Sequence, residues 1–480
     1  MDLRPVFYVI GILLSTLAIS MVLPLLVDLG SGNPDWKVFF FCAMFTLFFG
    51  GALIVTNTGF NFEMTVRQAF LLTGASWIVL AAFAALPFLM SDLKMSLTDS
   101  VFEAVSGITT TGSTVITGLD HAPPGILLWR AILQWLGGIG IILMAMSVMP
   151  FLKVGGMQLF QIELSENEKA LPRLENMART IGIIYVVLTA TCALLFSLFG
   201  MTKFEALIHA MTTISTGGFS TSDSSMAYFS SAPIEAVCIL FMILGCLPFI
   251  LYVKAVRGNV QRLLTDSQVR WFLSIALIST LILALYLSIH HVLPFGEALR
   301  KSAFNAVSVM TGTGYASNDY NLWGKFPSAL LFFLMVVGGC AGSTTCGIKI
   351  FRFQVLYAVT NSQVKQLLHP HGVFIPHYNK RAMPKGVATS VMSFFFVFAL
   401  CFSLLAVALS YTGLDFLTAM SGAATAISNV GPGLGDIIGP AGTFQPLPDS
   451  AKWILCIGMV LGRLEIFTVL VLFMPAFWKD

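Results

Sequence analysis

The sequence predicts an all-α integral membrane protein of about ten transmembrane helices, in which two extra helices precede four repeats of helix, re-entrant loop and helix. Three observations point there. The 480 residues are 57% hydrophobic and only 10% charged, more apolar surface than a soluble fold can hide. Apolar runs recur at about the 20 residues that cross a bilayer. A short motif of small and hydroxyl-bearing residues returns four times along the chain.

The spans fall near 5–27, 36–55, 68–90, 126–150, 180–200, 234–256, 271–293, 328–351, 388–411 and 452–477. The first run, Pro5 to Val27, follows Arg4 but is long and has no small-residue cleavage site, so it reads as a retained helix. An even count puts both termini on one side. The stretch 349–386 carries Lys349, Arg352, Lys365, Lys380, Arg381 and Lys385 and no acid, and the positive-inside bias places it and both termini in the cytoplasm. The opposite face is acidic, which either concentrates cations modestly or only reflects where the bases are not. Net charge is +3 and no basic block suggests nucleic acid. The eight cysteines lie almost entirely in apolar runs without C-x-x-C spacing, so neither a disulfide framework nor a zinc site is read.

The four motif copies are VFEAVSGITTTGST (101–114), LIHAMTTISTGGFS (207–220), AFNAVSVMTGTGYA (303–316) and MSGAATAISNVGPG (420–433). They align on Gly112, Gly218, Gly314 and Gly431. Eight residues earlier stand Ala104, Ala210, Ala306 and Ala423. Six earlier stand Ser106, Thr212, Ser308 and Thr425, and three earlier Thr109, Ser215, Thr311 and Ser428. Repetition at a fixed period is a fold-level signal. The chain divides accordingly into a helical pair (1–66) and repeats at 67–155, 156–262, 263–365 and 366–480.

Each motif follows an apolar stretch too short to span. Non-helical backbone at membrane depth survives only where protein buries it or where it lines a water-filled path. Four such loops in one chain can close a ring around an axis, and carbonyls aimed at that axis replace a cation's hydration shell. Each half-helix would enter from outside and point its partially negative C-terminal end at the ion. Asp99, Glu205, Glu297 and Asp415 sit near the half-helix starts, where acids suit the positive dipole end.

In the span 328–351, small and polar residues, GGCAGSTTCGIK (338–349), replace the apolar face in mid-membrane. This predicts a helix broken into a gating loop below the ring; tight helix packing is the alternative. Its lysine, Lys349, is expected to reach the cytoplasm. GSTTCGIK is close to a phosphate-binding loop, but Ile348 intrudes and no strand precedes it. Arg463 lies mid-span in MVLGRLEIF, a costly position that marks a functional candidate. Glu465, two residues on, does not share its helix face; it is the one carboxylate placed clearly inside the spans. Glycines at 137/138, 245, 338/339 and 462 recur in each second helix, as hinges or as close-packing points. His369, His371 and His377 lie in the basic loop and carry no metal assignment.

The stretches TTTGSTVITGLD (109–120), STGGFSTSD (215–223), TGTGYASNDYN (311–321), GGCAGSTTCGIKIFR (338–352), SNVGPGLGD (428–436) and GRLEIFTVLVLF (462–473) resemble the Trk/Ktr/HKT superfamily of potassium transporters, most closely its bacterial TrkH/TrkG type. The resemblance covers the whole chain and implies a central pore between the four loops. It implies potassium as the permeating ion and filter positions at Thr110, Thr111, Gly112 and Ser113; Thr216, Gly217, Gly218 and Phe219; Gly312, Thr313, Gly314 and Tyr315; and Asn429, Val430, Gly431 and Pro432. The gate would comprise Gly338, Gly339, Gly342, Ser343, Thr344, Thr345, Gly347 and Lys349, with Arg463 beside it. It further implies a homodimer in the bacterial inner membrane and a TrkA-like cytoplasmic regulatory subunit that carries the nucleotide (NAD or ATP/ADP), this chain holding no cofactor of its own. A proton- or sodium-coupled symporter is the competing class. An enzyme is not read, because no nucleophile and base or metal-ligand set converges within the spans.

Overall fold

Helices dominate because backbone amides in a bilayer must be satisfied within their own segment. The computed structural model describes residues 1–59, 64–147, 171–379, 381–384 and 386–479. The expected boundary between the first two repeats at 155/156, and Lys380 and Lys385, lie outside the described residues. Among the described residues seven helices are long and apolar enough to cross a membrane: Arg4–Ser31, Trp36–Thr56, Val66–Met90, Pro124–Met144, Asn176–Leu198, Ser267–Ile289 and Val387–Tyr411. The Pro124–Met144 segment is 72% buried and Trp36–Thr56 only 22%. The first therefore belongs to the interior and the second to the lipid-facing periphery.

The other three expected spans are not continuous. The break anticipated in 328–351 is present: helix Lys325–Val337 ends at Gly338, and helix resumes only over Ile350–Leu368. Two further breaks lie in spans expected to be straight. Ala232–Cys246 and Phe249–Val256 meet at 92°, and Asp449–Arg463 and Ile466–Phe473 at 110°. Proline explains the first, since Pro248 drives Leu247 out of the helical region, to φ −80°, ψ 152°. At the second, Glu465 has φ 59°, and its carboxylate is held by two buried cations described below.

Four half-helices occupy the centre: Leu97–Ile108, Lys203–Ile214, Phe295–Met310 and Phe416–Ser428. Three of the four starts are capped by a side chain. Ser96 accepts from the Asp99 N–H, Thr202 and Glu205 form a reciprocal capping box, and Asp415 accepts from the Thr418 N–H. Hydrogen bonds from the Thr418 hydroxyl and backbone hold the Asp415 carboxyl below its ordinary pKa. The repeated alanines 104, 210, 306 and 423 are fully buried. One apolar cluster joins repeats two and three through Phe241, Phe272 and Phe304. A second joins repeats one and four to the N-terminal helices through Phe39, Trp129 and Met459. A two-stranded hairpin pairs His377–Tyr378 with Arg381–Ala382 in the basic stretch.

Candidate functional site

Beyond each half-helix the backbone enters the left-handed region twice, two residues apart. The pairs are Thr110 (φ 54°) and Gly112 (87°), Thr216 (52°) and Gly218 (78°), Gly312 (71°) and Gly314 (78°), and Asn429 (53°) and Gly431 (108°). An ordinary strand alternates its carbonyls between two sides. A left-handed residue at every second position is what turns successive carbonyls to one side, the requirement of a carbonyl-lined ion path. Asparagine tolerates that region, but threonine is β-branched and strained there. This column escaped sequence reading because Thr, Thr, Gly and Asn share no side-chain chemistry.

The repeated hydroxyl column locks each loop to its half-helix. In all four copies the N–H just before the aligned glycine donates to the carbonyl of that column: Thr111 to Ser106 (2.9 Å), Gly217 to Thr212 (2.8 Å), Thr313 to Ser308 (2.9 Å) and Val430 to Thr425 (3.1 Å). Three hydroxyls also donate forward, Ser106 to the Ser113 carbonyl (2.6 Å), Ser308 to that of Tyr315 (2.7 Å) and Thr425 to that of Gly431 (3.0 Å). Thr212 departs from the pattern and meets the Tyr315 hydroxyl instead.

The aligned glycines close the ring. A Cβ on Gly112 would stand 2.2 Å from the carbonyl oxygen of Gly217, on Gly218 1.7 Å from that of Thr313, on Gly314 1.9 Å from that of Val430, and on Gly431 2.9 Å from that of Thr111. Each repeat's glycine thus abuts the residue preceding the next repeat's glycine, and the fourth returns to the first. The sixteen residues expected from the sequence all lie in this ring. Gly112, Gly218, Gly314 and Pro432 keep partial exposure and line a cavity above it that also reaches Arg130 and Asp223. The Phe219 and Tyr315 side chains are buried behind it.

Charged residues that sequence reading left unassigned brace the ring from outside. Arg130 donates to Glu103 (2.8 Å), to the Ser220 carbonyl (2.8 Å) and to the Thr114 hydroxyl (3.1 Å), and lies 4.0 Å from the centre of the Phe219 ring. Glu103 accepts in turn from the Val115 N–H. Lys301 donates to Glu235 (2.7 Å) and to the Ser317 carbonyl (2.9 Å), and Lys452 to Asp99 (2.6 Å). Glu465 is therefore not the one carboxylate inside, since Glu103 and Glu235 are buried as well. The available signal was a base within an apolar run, as in ILLWRAILQW around Arg130.

Below the ring, the loop 338–349 is stitched to the bend of repeat two. The Phe249 N–H donates to the Gly342 carbonyl (2.8 Å), the Cys340 N–H to that of Cys246 (3.3 Å), and the Thr344 hydroxyl to that of Gly245 (2.9 Å). Gly338, Gly342 and Gly347 have φ of 71°, 74° and 78°. Gly339 leaves no room for a side chain, a Cβ there standing 2.1 Å from Cys246 Sγ. Ser343 and Thr345 bond to each other (2.8 Å), and the Thr216 hydroxyl reaches Thr344 (3.1 Å), so ring and loop touch. Arg463 is fully buried; its guanidinium donates to the Thr344 carbonyl (3.0 Å), to Cys346 Sγ (3.0 Å) and to the Gly137 carbonyl (2.8 Å). Glu465 pairs elsewhere, with Lys349 (3.1 Å) and Arg352. Lys349 is thus 5% exposed and does not reach the cytoplasm. Its charge is consumed by the bend of the last helix. Glycines 137, 245 and 462 prove to be close-packing points, where a Cβ would stand 1.9, 2.9 and 2.1 Å from the carbonyl oxygens of Ile108, Ile214 and Ile427. In repeat three, Gly338 and Gly339 open the loop instead.

Comparison with known proteins gives one consistent answer. Residues 36–480 match the model of a family described as TrkH, cation transport protein. The chain is 44% identical to the Trk system potassium uptake protein TrkI of Halomonas elongata, over 99% of this chain and 97% of that one. It is 34% identical to TrkG of Escherichia coli K12, over 99% of both. The crystal structure of the potassium transporter TrkH from Vibrio parahaemolyticus superposes with a TM-score of 0.93 at 36% identity, covering 100% of both chains. With the motifs, the fold and these matches in agreement over its length, the chain belongs to the TrkH family of cation transport proteins.

Proposed function

We propose that this protein takes up potassium across the bacterial inner membrane through the ring of four loops. The observation that carries the reading is the cyclic contact of Gly112, Gly218, Gly314 and Gly431 with neighbouring carbonyls, combined with paired left-handed residues in every loop. Such a ring supplies dehydrated cations with oxygen ligands. The potassium uptake named for the relatives supports potassium as the ion. The sixteen ring residues are the filter. The loop 338–349, tethered by Arg463, is the gate. Opening requires the Arg463 and Gly245 contacts of that loop to be exchanged, a task suited to a cytoplasmic partner on the basic inner face. That partner is a TrkA-like subunit carrying NAD or ATP/ADP, acting on a homodimer with both termini cytoplasmic.

The test is ion flux into proteoliposomes holding this chain alone, under potassium or sodium gradients with and without a pH difference. Uptake that follows the potassium gradient alone supports a channel-like protein. Uptake that requires a sodium or proton gradient overturns it in favour of a symporter.

A further inference from the structure

Two columns of the internal repeat are broken at one place. Three residues before the recurring glycine of each second helix (137, 245, 338 and 462) stand Met242, Met335 and Met459 in repeats two to four, but Gln134 in repeat one. The residue just before the aligned ring glycine is Thr111, Thr313 or Val430 in three loops, but Gly217 in the second. The two exceptions touch. Gln134 is fully buried. Its Nε2 donates to the Gly217 carbonyl (2.7 Å), and its Oε1 accepts from the Phe219 N–H (3.0 Å). A Cβ on Gly217 would stand 2.4 Å from Gln134 Cδ. The glutamine therefore fills the place that a β-branched side chain would claim.

We infer that Gln134 is a positioning residue for ion selection, a clamp that holds the second ring loop where its own sequence cannot. This rests on the reading of the ring as the ion filter. Gly217 and Gly218 make the loop's central peptide a Gly–Gly unit, the one with the widest backbone freedom. Neither residue has a side chain to anchor it. A carbonyl able to swing inward would follow a smaller ion and lose discrimination. The side-chain amide grips the carbonyl of that peptide and the N–H of the next one, either side of Gly218, and only one amide orientation satisfies both. Met, which offers neither hydrogen bond, fits the other repeats because their loops carry their own side chains.

The test is the potassium-to-sodium uptake ratio in proteoliposomes for Gln134→Met, Gly218→Ala and the double variant Gln134→Met/Gly217→Thr. With the clamp removed, Gln134→Met lowers the ratio about tenfold, the scale of a lost buried hydrogen-bond pair, while potassium flux stays near that of the parent. Reinstating a β-branched side chain in the double variant recovers most of the ratio, which a merely structural role would not predict. Should Gln134→Met not be recovered from membranes, Gln134→Leu lacks the same two bonds and is read in its place. An unchanged ratio in Gln134→Met beside a collapsed ratio in Gly218→Ala overturns the clamp alone. Unchanged ratios in both overturn the filter reading, and the clamp with it.

Discussion

The aligned glycines are single atoms of missing side chain with large consequences. At Gly314 an added methyl meets the Val430 carbonyl at 1.9 Å, on a backbone of φ 78° that other residues rarely adopt. The ring must widen to admit it. Gly314→Ala is expected to lower potassium-over-sodium selectivity at least about tenfold, the equivalent of roughly 1.4 kcal/mol. Rubidium uptake with sodium as competitor measures this, and an undiminished preference would remove Gly314 from the filter. Arg463 acts in the opposite sense, by holding backbone in place. Hydrogen bonds from a charged donor contribute about 1.5–3 kcal/mol each, and this guanidinium donates to carbonyls on two elements. Arg463→Leu is expected to raise flux through the chain without any cytoplasmic partner. Flux at or below that of the parent would show that the arginine does not restrain the loop.

Among elements, the broken helices govern the centre of the molecule. The bend between Asp449–Arg463 and Ile466–Phe473 puts Arg463 and Glu465 on separate errands, one to the loop and one to Lys349 and Arg352. Burying two cations beside one carboxylate is costly unless the pairing is complete. Glu465→Gln removes the carboxylate charge that faces both cations and is expected to destabilise the protein by about 3–5 kcal/mol. A fall in the unfolding temperature of the detergent-solubilised protein reads it, and a stable Glu465→Gln variant would show that water already reaches the triad. The bend at Leu247–Pro248 has a matching role, since the residues around it hold the loop of repeat three through Gly245, Cys246 and Phe249.

At the scale of the whole molecule, orientation follows from charge. Lys365 is exposed in the basic stretch that follows the broken helix, the stretch expected to face the cytoplasm. Seven of the native cysteines are buried and Cys401 is partly so, which gives a low background for thiol labelling. Leu367 is 82% exposed in that basic stretch, and Asp120 is exposed beyond the first ring loop. Leu367→Cys is expected to react with a membrane-impermeant maleimide only in inside-out vesicles, and Asp120→Cys only in intact spheroplasts. Reversed labelling would invert the topology.

Composition and apolar run length were enough to establish a helical membrane protein, because a bilayer admits few alternatives. The repeated columns Ala, Ser/Thr and Gly were enough to locate four equivalent loops, because each sits at a fixed place: a buried methyl on the half-helix, a column carbonyl that accepts from the loop, and a hydrogen against a neighbour's oxygen. The break at 338–349 was legible for the same reason, in a run of small and polar residues where apolar ones belong. What only the tertiary structure decided is partnership. The cyclic order of the loops, the pairing of Lys349 with Glu465, the brace of Arg130 on Glu103 and the grip of Gln134 on Gly217 all join residues far apart in sequence. A side chain's type states which bonds it needs; which groups supply them depends on how the repeats pack around the axis, and no local pattern records that.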